Sequence, residues 1–428
     1  MRRFLATLAA VAAFTAGLEP ALGAAASHAT VGAPPSRATA GANLGLGRVL
    51  ARDIKQAGAS SGAYVVDLDT GRALYSAAAG VSRLPASVEK VYTTSTALLR
   101  FGPQATLQTV VLGQGTITSR GAWHGTLYLR GGGDPTFASQ SFDPDGATLQ
   151  RLVADLVRST GITSVQGRIV GDESYFDSLR GTPASGYRPS VDTEGLLSGL
   201  AYDRGFADQR ATAFQRSPAP FAAGAFASAL RSAGVRVPAG TPIRAGIAPT
   251  SAKLFAMVAS PPIASLIQLT NTSSDNFLAE MLLKGVGARF GTGGSTAAGA
   301  AVVRAELAGR FGIHPRLQDG SGLSRADRTT PMQVVIALKA MARDRYFVSS
   351  LATAGKTGTL RYEAVGTAAQ GRCRGKTGTL HDVASLAGYC QASDGHTLAF
   401  AFLMNSVDPS FGHSLEAQMA VALAKYDG

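Results

Sequence analysis

The stretch that decides the fold is LPASVEK at residues 84–90, which runs into the apolar segment VYTTSTALL at 91–99. A proline stands just before this helix-compatible run and FGP at 101–103 ends it, so the sequence predicts one helix with Ser87 in its first turn. Residues three apart share a helix face, which places the Lys90 ammonium within reach of the Ser87 hydroxyl. A lysine with a lowered pKa can take the proton of such a serine and make it a nucleophile. An ordinary helix start with a snorkelling lysine has the same pattern, so other motifs must decide.

The first residues have the order of a secretory signal peptide. Two arginines follow Met1, residues 4–18 are apolar or small throughout, and three alanines at 24–26 offer a cleavage site. We therefore expect residues 1–26 to be removed on export, and the mature protein to act outside the cytoplasm. Residues 27–46 are rich in Ala, Gly, Pro, Ser and Thr without periodic apolar positions, which predicts a flexible linker.

Length and charge limit the domain plan and the partners. About 400 mature residues exceed one ordinary core, which predicts two domains or one domain with a large insertion. The formal net charge of +12 favours an anionic partner such as a cell wall, unless it only keeps an Ala- and Gly-rich chain soluble. The arginines are scattered and no aromatic-basic cluster appears, so nucleic acid is not an expected partner. No apolar run after the signal is long enough to cross a bilayer.

The sequence predicts neither a metal nor a cofactor. The six histidines are scattered without metal-ligand spacing. The glycine loop at 131–135 lacks the Lys-Ser/Thr sequel of a phosphate cradle.

The chain has two cysteines, Cys373 and Cys390. A hairpin turn near residues 381–382 would put them directly opposite each other on neighbouring strands. Export permits a disulfide, which we favour over two buried free thiols.

Apolar periodicity predicts strands at both ends of the chain, with helices and mixed elements between them. We expect the N- and C-terminal strands to share one antiparallel sheet with helices packed on it, an α/β fold of the α+β type. The main predicted elements are a hairpin at 63–76, a mixture of short strands and helices continuing to about 261, helices at 263–270, 276–286 and 298–311, strands at 375–380, 383–390 and 397–404, and a helix at 414–426 with Ser414 as its N-cap.

A second motif is Ser274-Asp275-Asn276. Ser274 can pass a proton and Asn276 can donate an amide hydrogen bond to a substrate carbonyl. The same residues also suit a helix N-cap without any catalytic role.

A third motif is KTGT at residues 376–379. On a strand edge it offers the cation of Lys376, the hydroxyl of Thr377 and, at Gly378, close approach of a ligand backbone. An edge lysine also protects a sheet against aggregation. The same four residues occur at 356–359, but only the second copy leads a predicted hairpin, so we favour the second copy.

In the order Ser-x-x-Lys, Ser-Asp-Asn, Lys-Thr-Gly, the three motifs form the signature of penicillin-binding proteins and class A β-lactamases. The chain resembles the D-alanyl-D-alanine carboxypeptidase/endopeptidase branch, the penicillin-binding protein 4 type of serine peptidase (low-molecular-mass class C, family S13). Blocks similar to that family's lie at 129–135, 171–177 and 319–325. Residues 355–360 match its Gly-x-x-Gly-Thr-Leu block, which again favours the second Lys-Thr-Gly copy.

The resemblance implies a β-lactamase/transpeptidase-like domain with an antiparallel five-stranded sheet flanked by helices. Ser87 and Ser274 are 187 residues apart, which is long for a simple β-lactamase and short for members with two nested insertions. We therefore expect a discontinuous catalytic domain, residues 47–111 and 262–428, that carries one inserted mixed α/β domain at 112–261.

The resemblance also implies an acyl transfer. Ser87 attacks the carbonyl of a D-Ala-D-Ala peptide, and a neutral Lys90 accepts its proton. Ser274 relays a proton to the leaving amine, and backbone N–H groups of Ser87 and Thr379 form the oxyanion hole. Water then hydrolyses the acyl-enzyme.

Substrate binding is implied for the remaining motif residues. Asn276 holds the side of the acyl chain, while Lys376, Thr377 and Thr379 grip the terminal carboxylate. The implied partners are peptidoglycan stem peptides and, as covalent inhibitors, β-lactam antibiotics. The balance between carboxypeptidase and endopeptidase activity stays open.

Three other functions share part of this pattern. A β-lactamase has the same three motifs, but the long insertion and the family blocks disfavour it. A non-catalytic wall-binding protein is disfavoured by the intact set of Ser87, Lys90 and Lys376. A Ser-His-Asp hydrolase is disfavoured because no Gly-x-Ser-x-Gly elbow occurs.

Overall fold

The structure is a computed structural model that describes residues 37–143 and 146–428. The predicted signal peptide, residues 1–26, and the first part of the predicted linker, residues 27–36, lie outside the described residues. Within the described part of the chain, no helix combines the length and the apolar character needed to cross a membrane.

The linker prediction is wrong for residues 37–46, which belong to helix α1, Arg37–Gln56. Leu46, Leu50 and Ile54 are spaced four apart, so they share one helix face, and that face is buried in a core of the protein. The alanines and glycines before Leu46 carry no apolar stripe, which is why their sequence indicated a linker.

A six-stranded antiparallel sheet contains both ends of the chain. Ser61 lies opposite Met404, so the first and the last strand pair as predicted. Five strands have five residues or more, and one strand of two residues is added at an edge. The strand order is β2-β1-β11-β10-β9-β8, with bounds β1 Ser61–Asp67, β2 Ala73–Ala77, β8 Ala352–Thr353, β9 Cys373–Leu380, β10 Val383–Gln391 and β11 Thr397–Asn405.

The central strands are buried on both faces. Along β11, Ala399 and Ala401 point into one core, whereas Phe400 and Phe402 point into the other. Successive side chains of a strand face opposite sides, so this strand reads as a continuous apolar run instead of an alternating one.

Helices cover the two faces of this sheet. Helix α1 and the last helix pack on one face, and six further helices lie on the opposite face. The bounds are α2 Lys90–Phe101, α5 Ile263–Thr272, α6 Asn276–Phe290, α7 Thr296–Glu306, α8 Pro331–Met341, α9 Arg345–Ser350 and α10 Pro409–Ala424.

The last helix begins earlier than predicted. Its N-cap is Asp408, whose side chain accepts from the backbone N–H of Phe411, and not Ser414. Pro409 suits the first turn because its missing N–H is not needed there. The Ser414 hydroxyl instead donates to the carbonyl of Phe411 within the helix.

A second, five-stranded sheet is inserted between α2 and α5. Its first strand starts at Gln108, four residues before the predicted boundary at 112, because Thr109 and Val110 already pair with both neighbouring strands. Two helices pack against it in a separate core. The order is β6-β5-β4-β3-β7, with β3 Gln108–Ile117, β4 Ala122–Gly131, β5 Ser164–Asp172, β6 Ile243–Ala245 and β7 Lys253–Ala259, and the helices are α3 Leu149–Thr160 and α4 Pro218–Ser232.

The predicted disulfide is present. Strands β9 and β10 form a hairpin in which Cys373 lies opposite Cys390, and the two residues are bonded. The bond joins the two strands at the end of the hairpin away from its turn.

Candidate active site

The predicted serine–lysine pair is in contact. Ser87 lies in a short 3-10 turn, Ala86–Glu89, and α2 begins directly after it at Lys90. The Lys90 ammonium donates to the Ser87 hydroxyl oxygen at 2.7 Å, to the Asn276 amide oxygen at 2.6 Å and to the Ser321 carbonyl at 2.8 Å. All three of its hydrogens are therefore used within the site.

Burial changes the acidity of Lys90. The side chain is fully buried, and this lowers its pKa to about 8, although the nearby carboxyl groups of Asp319 and Glu280 oppose the shift. A substantial fraction of Lys90 is therefore neutral near physiological pH, and only a neutral amine can accept the proton of Ser87.

The residues of the Ser-Asp-Asn motif have two roles: Asp275 caps a helix, and its two neighbours face the site. Asp275 is the N-cap of α6, and its side chain accepts from the backbone N–H of Leu278. Ser274 precedes it in a left-handed conformation with φ 64°, and its hydroxyl accepts from Lys376 at 2.8 Å. The capping interpretation thus holds for Asp275, while Ser274 and Asn276 face Lys376 and Lys90.

Strand β9 brings the Lys-Thr-Gly motif to the serine turn. Lys376 is fully buried, and its ammonium donates to Ser274 and to the carbonyl of Thr377. Burial, with the positive charge of Lys90, pushes the pKa of Lys376 well below its usual value. The buried ammonium of Lys376 thus contacts Ser274 from the interior of the protein.

Gly378 permits the close approach of β9 to the turn that contains Ser87. A Cβ at this position would lie 2.7 Å from the Pro85 carbonyl oxygen and 3.0 Å from the Ser87 nitrogen. Only glycine leaves room for both backbones here.

The two Lys-Thr-Gly copies occupy different environments. Lys356 is exposed in a turn, whereas Lys376 is buried beside Ser274. The first copy still reaches the site at its last residue, because Thr359 accepts a hydrogen bond from Thr377 at 2.8 Å.

These motifs surround a cavity of about 360 Å³. Ser87 and the threonine hydroxyls of β9 line it, and charged side chains surround the rest of the opening. The lining includes Ser87, Ser274, Asn276, Thr377 and Thr379, together with Glu194, Thr359, Glu363, Arg374, His413 and Glu416.

Comparison with known proteins decides the family. The model of the D-Ala-D-Ala carboxypeptidase 3 (S13) family matches residues 47–190 and 204–426. The chain belongs to this family. It is accordingly a serine-type D-Ala-D-Ala carboxypeptidase, and the resemblance inferred from the motifs is confirmed.

Individual relatives agree with the family match. Carboxypeptidase DacB of Mycolicibacterium smegmatis is 32% identical over 378 residues, which cover 83% of this chain and 79% of that protein. D-alanyl-D-alanine carboxypeptidase of Actinomadura sp. is 29% identical over 455 residues, covering 87% of this chain and 82% of that protein.

A solved structure confirms the fold class. The crystal structure of penicillin binding protein 4 from Haemophilus influenzae is similar with a TM-score of 0.73 at 21% identity, covering 88% of this chain and 99% of that chain. A crystal structure of that protein complexed with a novel β-lactam gives a TM-score of 0.68 at 19% identity, covering 89% of this chain and 99% of that chain.

A loop of the inserted segment completes the site of this S13 carboxypeptidase, although no motif in the sequence indicated it. The Asn276 amide nitrogen donates to the Asp192 carbonyl at 2.7 Å, and its backbone N–H donates to the Glu194 carboxylate at 2.9 Å. The guanidinium of Arg204 binds both oxygens of Asp275 at 2.7 and 2.9 Å. No local pattern marks these residues, since the contacts bridge more than 70 residues of sequence.

A group of buried carboxyl side chains lies next to the turn that contains Ser87. Carboxylate oxygens of Glu89, Asp319 and Asp327 lie within 4.8 Å of one another, and their residue types would suit a hard metal ion. Burial and the neighbouring carboxyl groups raise the pKa of Glu89 well above its usual value and that of Asp327 to about 9. The raised pKa values favour protonated carboxyl groups, and Glu89 and Asp327 then share a hydrogen bond.

The same group supports the carbonyl that binds Lys90. Both oxygens of Asp319 accept backbone hydrogen bonds, from Gly322 and Ser324, and this fixes the turn that contains Ser321. The Ser321 carbonyl accepts from Lys90, and the Ser87 hydroxyl also lies within 3.3 Å of it. The family block at 319–325 thus orients Ser87 and Lys90 relative to each other.

Proposed function

We propose that the protein is an exported serine DD-peptidase that removes the terminal D-alanine from peptidoglycan stem peptides through an acyl-enzyme on Ser87. The observation that carries the proposal is the 2.7 Å hydrogen bond between Ser87 and a buried Lys90 whose pKa is lowered to about 8. A base of this acidity is suited to work near neutral pH.

Acylation follows from this pair. Neutral Lys90 takes the proton of Ser87 while the serine oxygen bonds to the carbonyl carbon of the substrate. The backbone N–H groups of Ser87 and Thr379 are the proposed oxyanion hole, which stabilises the charge that develops on the carbonyl oxygen. The close approach of β9 to the Ser87 nitrogen at Gly378, the residue before Thr379, supports this assignment.

Loss of D-alanine requires a proton for its amine. We assign the transfer to Ser274, whose hydroxyl is hydrogen-bonded to Lys376 and lines the cavity. The proton is the one that Lys90 took from Ser87; its transfer through Ser274 to the amine leaves Lys90 neutral again. Water then attacks the acyl-enzyme carbonyl while neutral Lys90 takes a proton from the water, and Lys90 returns a proton to the Ser87 oxygen as the acyl bond breaks.

Recognition of the terminal carboxylate differs from the sequence expectation in one respect. Lys376 was expected to grip it, but its ammonium is fully buried and donates to Ser274 and the Thr377 carbonyl. The hydroxyls of Thr377 and Thr379 do line the cavity. We therefore assign the carboxylate to these two threonines and the acyl chain to Asn276.

We propose cleavage of peptide cross-links as a second activity. A further cavity of about 990 Å³ adjoins the site and shares Glu194, Asn276 and Thr379 with it. It is large enough for part of a second stem peptide beside the scissile bond. A digest of cross-linked peptidoglycan, with identification of the products, measures this activity directly.

The test of the main proposal is release of D-alanine from a peptide ending in D-Ala-D-Ala. Ser87→Ala should abolish release and also abolish covalent labelling by benzylpenicillin, read as a mass increase of the intact protein. Ser414→Ala, an exposed serine of α10, is the matched control and should retain both. D-alanine release by Ser87→Ala would refute the assignment of the nucleophile.

The same preparation separates the competing functions. Rapid nitrocefin turnover without stable labelling would indicate a β-lactamase. Binding to peptidoglycan that is equal in wild type and Ser87→Ala, with no D-alanine released by either, would indicate a wall-binding protein. Export is tested by N-terminal sequencing of protein recovered outside the cytoplasm, which should begin near residue 27.

A further inference from the structure

Two ionisable residues of α10 lie against the last residue of the Lys-Thr-Gly-Thr motif. The Nε2 atom of His413 lies 3.0 Å from the Thr379 hydroxyl oxygen. Its Nδ1 atom lies 2.8 Å from a carboxylate oxygen of Glu416, whose side chain is 4% exposed. Thr379, His413 and Glu416 thus form a chain of hydrogen bonds that ends at the cavity in front of Ser87.

The direction of these hydrogen bonds depends on one proton. A threonine hydroxyl has a single hydrogen, and a neutral imidazole has one N–H and one acceptor nitrogen. When His413 is charged, Nδ1–H donates to Glu416 and Nε2–H donates to Thr379. The hydroxyl hydrogen of Thr379 is then available to the cavity.

Loss of the proton from His413 reverses the direction of its hydrogen bond with Thr379. The ionised Glu416 keeps the hydrogen on Nδ1. The Nε2 atom is then an acceptor, and the Thr379 hydroxyl donates its hydrogen bond to Nε2. Thr379 then presents only lone pairs to the cavity. The result is the same if the extra proton resides on Glu416, because Nδ1 would then accept and the ring hydrogen would lie on Nε2.

We propose that His413, held by Glu416, is a positioning residue that makes the Thr379 hydroxyl a donor to the substrate carboxylate only while the His413–Glu416 pair keeps its extra proton. This inference rests on the proposed function, in which Thr379 contacts the terminal carboxylate. It adds a pH-dependent element of specificity that the three motifs do not contain.

The change in net charge of the His413–Glu416 pair affects carboxylate binding in the same direction as the change in hydrogen bonding. The charged groups that line the cavity with His413 are Glu194, Glu363, Arg374 and Glu416. The hydrogen bond to Glu416, with the charges of Glu416 and Glu363, raises the pKa of His413 above its usual 6.5, against the opposing effect of burial. The protonated pair is neutral as a whole, and loss of the proton leaves a net negative charge beside the carboxylate of the substrate.

The experiment compares two probes that acylate the same serine. Benzylpenicillin carries a carboxylate, and its methyl ester does not. The ratio of their second-order acylation rate constants removes the contribution of Lys90, which is common to both. For the wild type, we expect this ratio to fall about tenfold between pH 6 and pH 9, the size of one charge-assisted hydrogen bond.

Three variants separate positioning from a structural role. His413→Gln offers an amide that does not titrate, so its ratio should be constant over this range. Glu416→Gln should shift the fall to lower pH, because His413 loses the carboxylate that holds its proton. His314→Gln, at an exposed histidine, should behave as the wild type. Far-UV circular dichroism checks that each variant is folded.

The possible failures are distinguishable. A wild-type ratio that is constant with pH, in protein that both probes acylate, would overturn this inference alone. An unchanged pH dependence in His413→Gln would do so as well. If neither probe labels Ser87, the proposed function is overturned and this inference with it.

Discussion

Replacement of Gly378 by alanine tests whether contact between β9 and the serine turn organises the site. The added Cβ would lie 2.7 Å from the Pro85 carbonyl oxygen and 3.0 Å from the Ser87 nitrogen. Relief of the first contact needs a shift of about 0.7 Å, since such contacts settle near 3.4 Å. A misplacement of about 1 Å at a catalytic group costs roughly a hundredfold in rate, so we expect the acylation rate constant to fall roughly 30- to 100-fold.

The matched control is Gly375→Ala on the same strand. Its Cβ would lie 2.9 Å from the Ala387 carbonyl oxygen and 3.1 Å from the Leu386 side chain, away from Ser87. Both variants should lose about 1–3 kcal/mol of stability through overpacking, measured by urea unfolding. Only Gly378→Ala should lose acylation by benzylpenicillin, measured by stopped-flow or mass spectrometry. Equal losses of activity in the two variants, or a wild-type rate in Gly378→Ala, would refute the reasoning.

Three further predictions follow from the buried charges. Acylation by the methyl ester of benzylpenicillin should rise with pH through about 8, as Lys90 loses its proton, and a flat profile would contradict its role as the base. Glu89 and Asp327 have raised folded-state pKa values, so the folded state binds more protons than the unfolded state and stability should fall as pH rises above about 4.5. Glu89→Gln should make the fall in Tm between pH 5 and 8 shallower. An unchanged slope would count against the raised pKa of Glu89. Lys376→Ala should lose most D-alanine release, whereas Lys356→Ala, in an identical tetrapeptide, should retain it; the reverse result would assign the site to the other copy.

Local spacing made part of this site predictable. Ser87 and Lys90 contact each other because three residues on a helical turn bring them to one face, although Ser87 lies in a 3-10 turn just before α2. The cysteine pair followed from counting residues on either side of a hairpin turn, and β9 and β10 have that register. In both cases the partners are set by backbone geometry that the sequence spacing encodes.

Contacts between distant segments were not predictable in this way. Asp192 and His413 lie in segments whose own composition marks neither as part of a site, and the fold alone places them beside Asn276 and Thr379. The burial of Glu89 beside Asp319 and Asp327 was not predictable either, because an acidic residue in a first helical turn usually faces solvent. Residues 37–46 were assigned to a linker since an Ala- and Gly-rich helix start lacks an apolar stripe.

The two halves of the Asn276 amide are held by different parts of the chain. Its oxygen is bound by Lys90, and its nitrogen by the Asp192 carbonyl in the segment inserted between α2 and α5. A shortened protein that lacked residues 108–259 would keep Ser87 and Lys90 but lose one of the two anchors that fix this amide. We therefore expect the insertion to be needed for a fully ordered site, because a truncated chain would retain Ser87 and Lys90 with the Asn276 amide held by Lys90 alone.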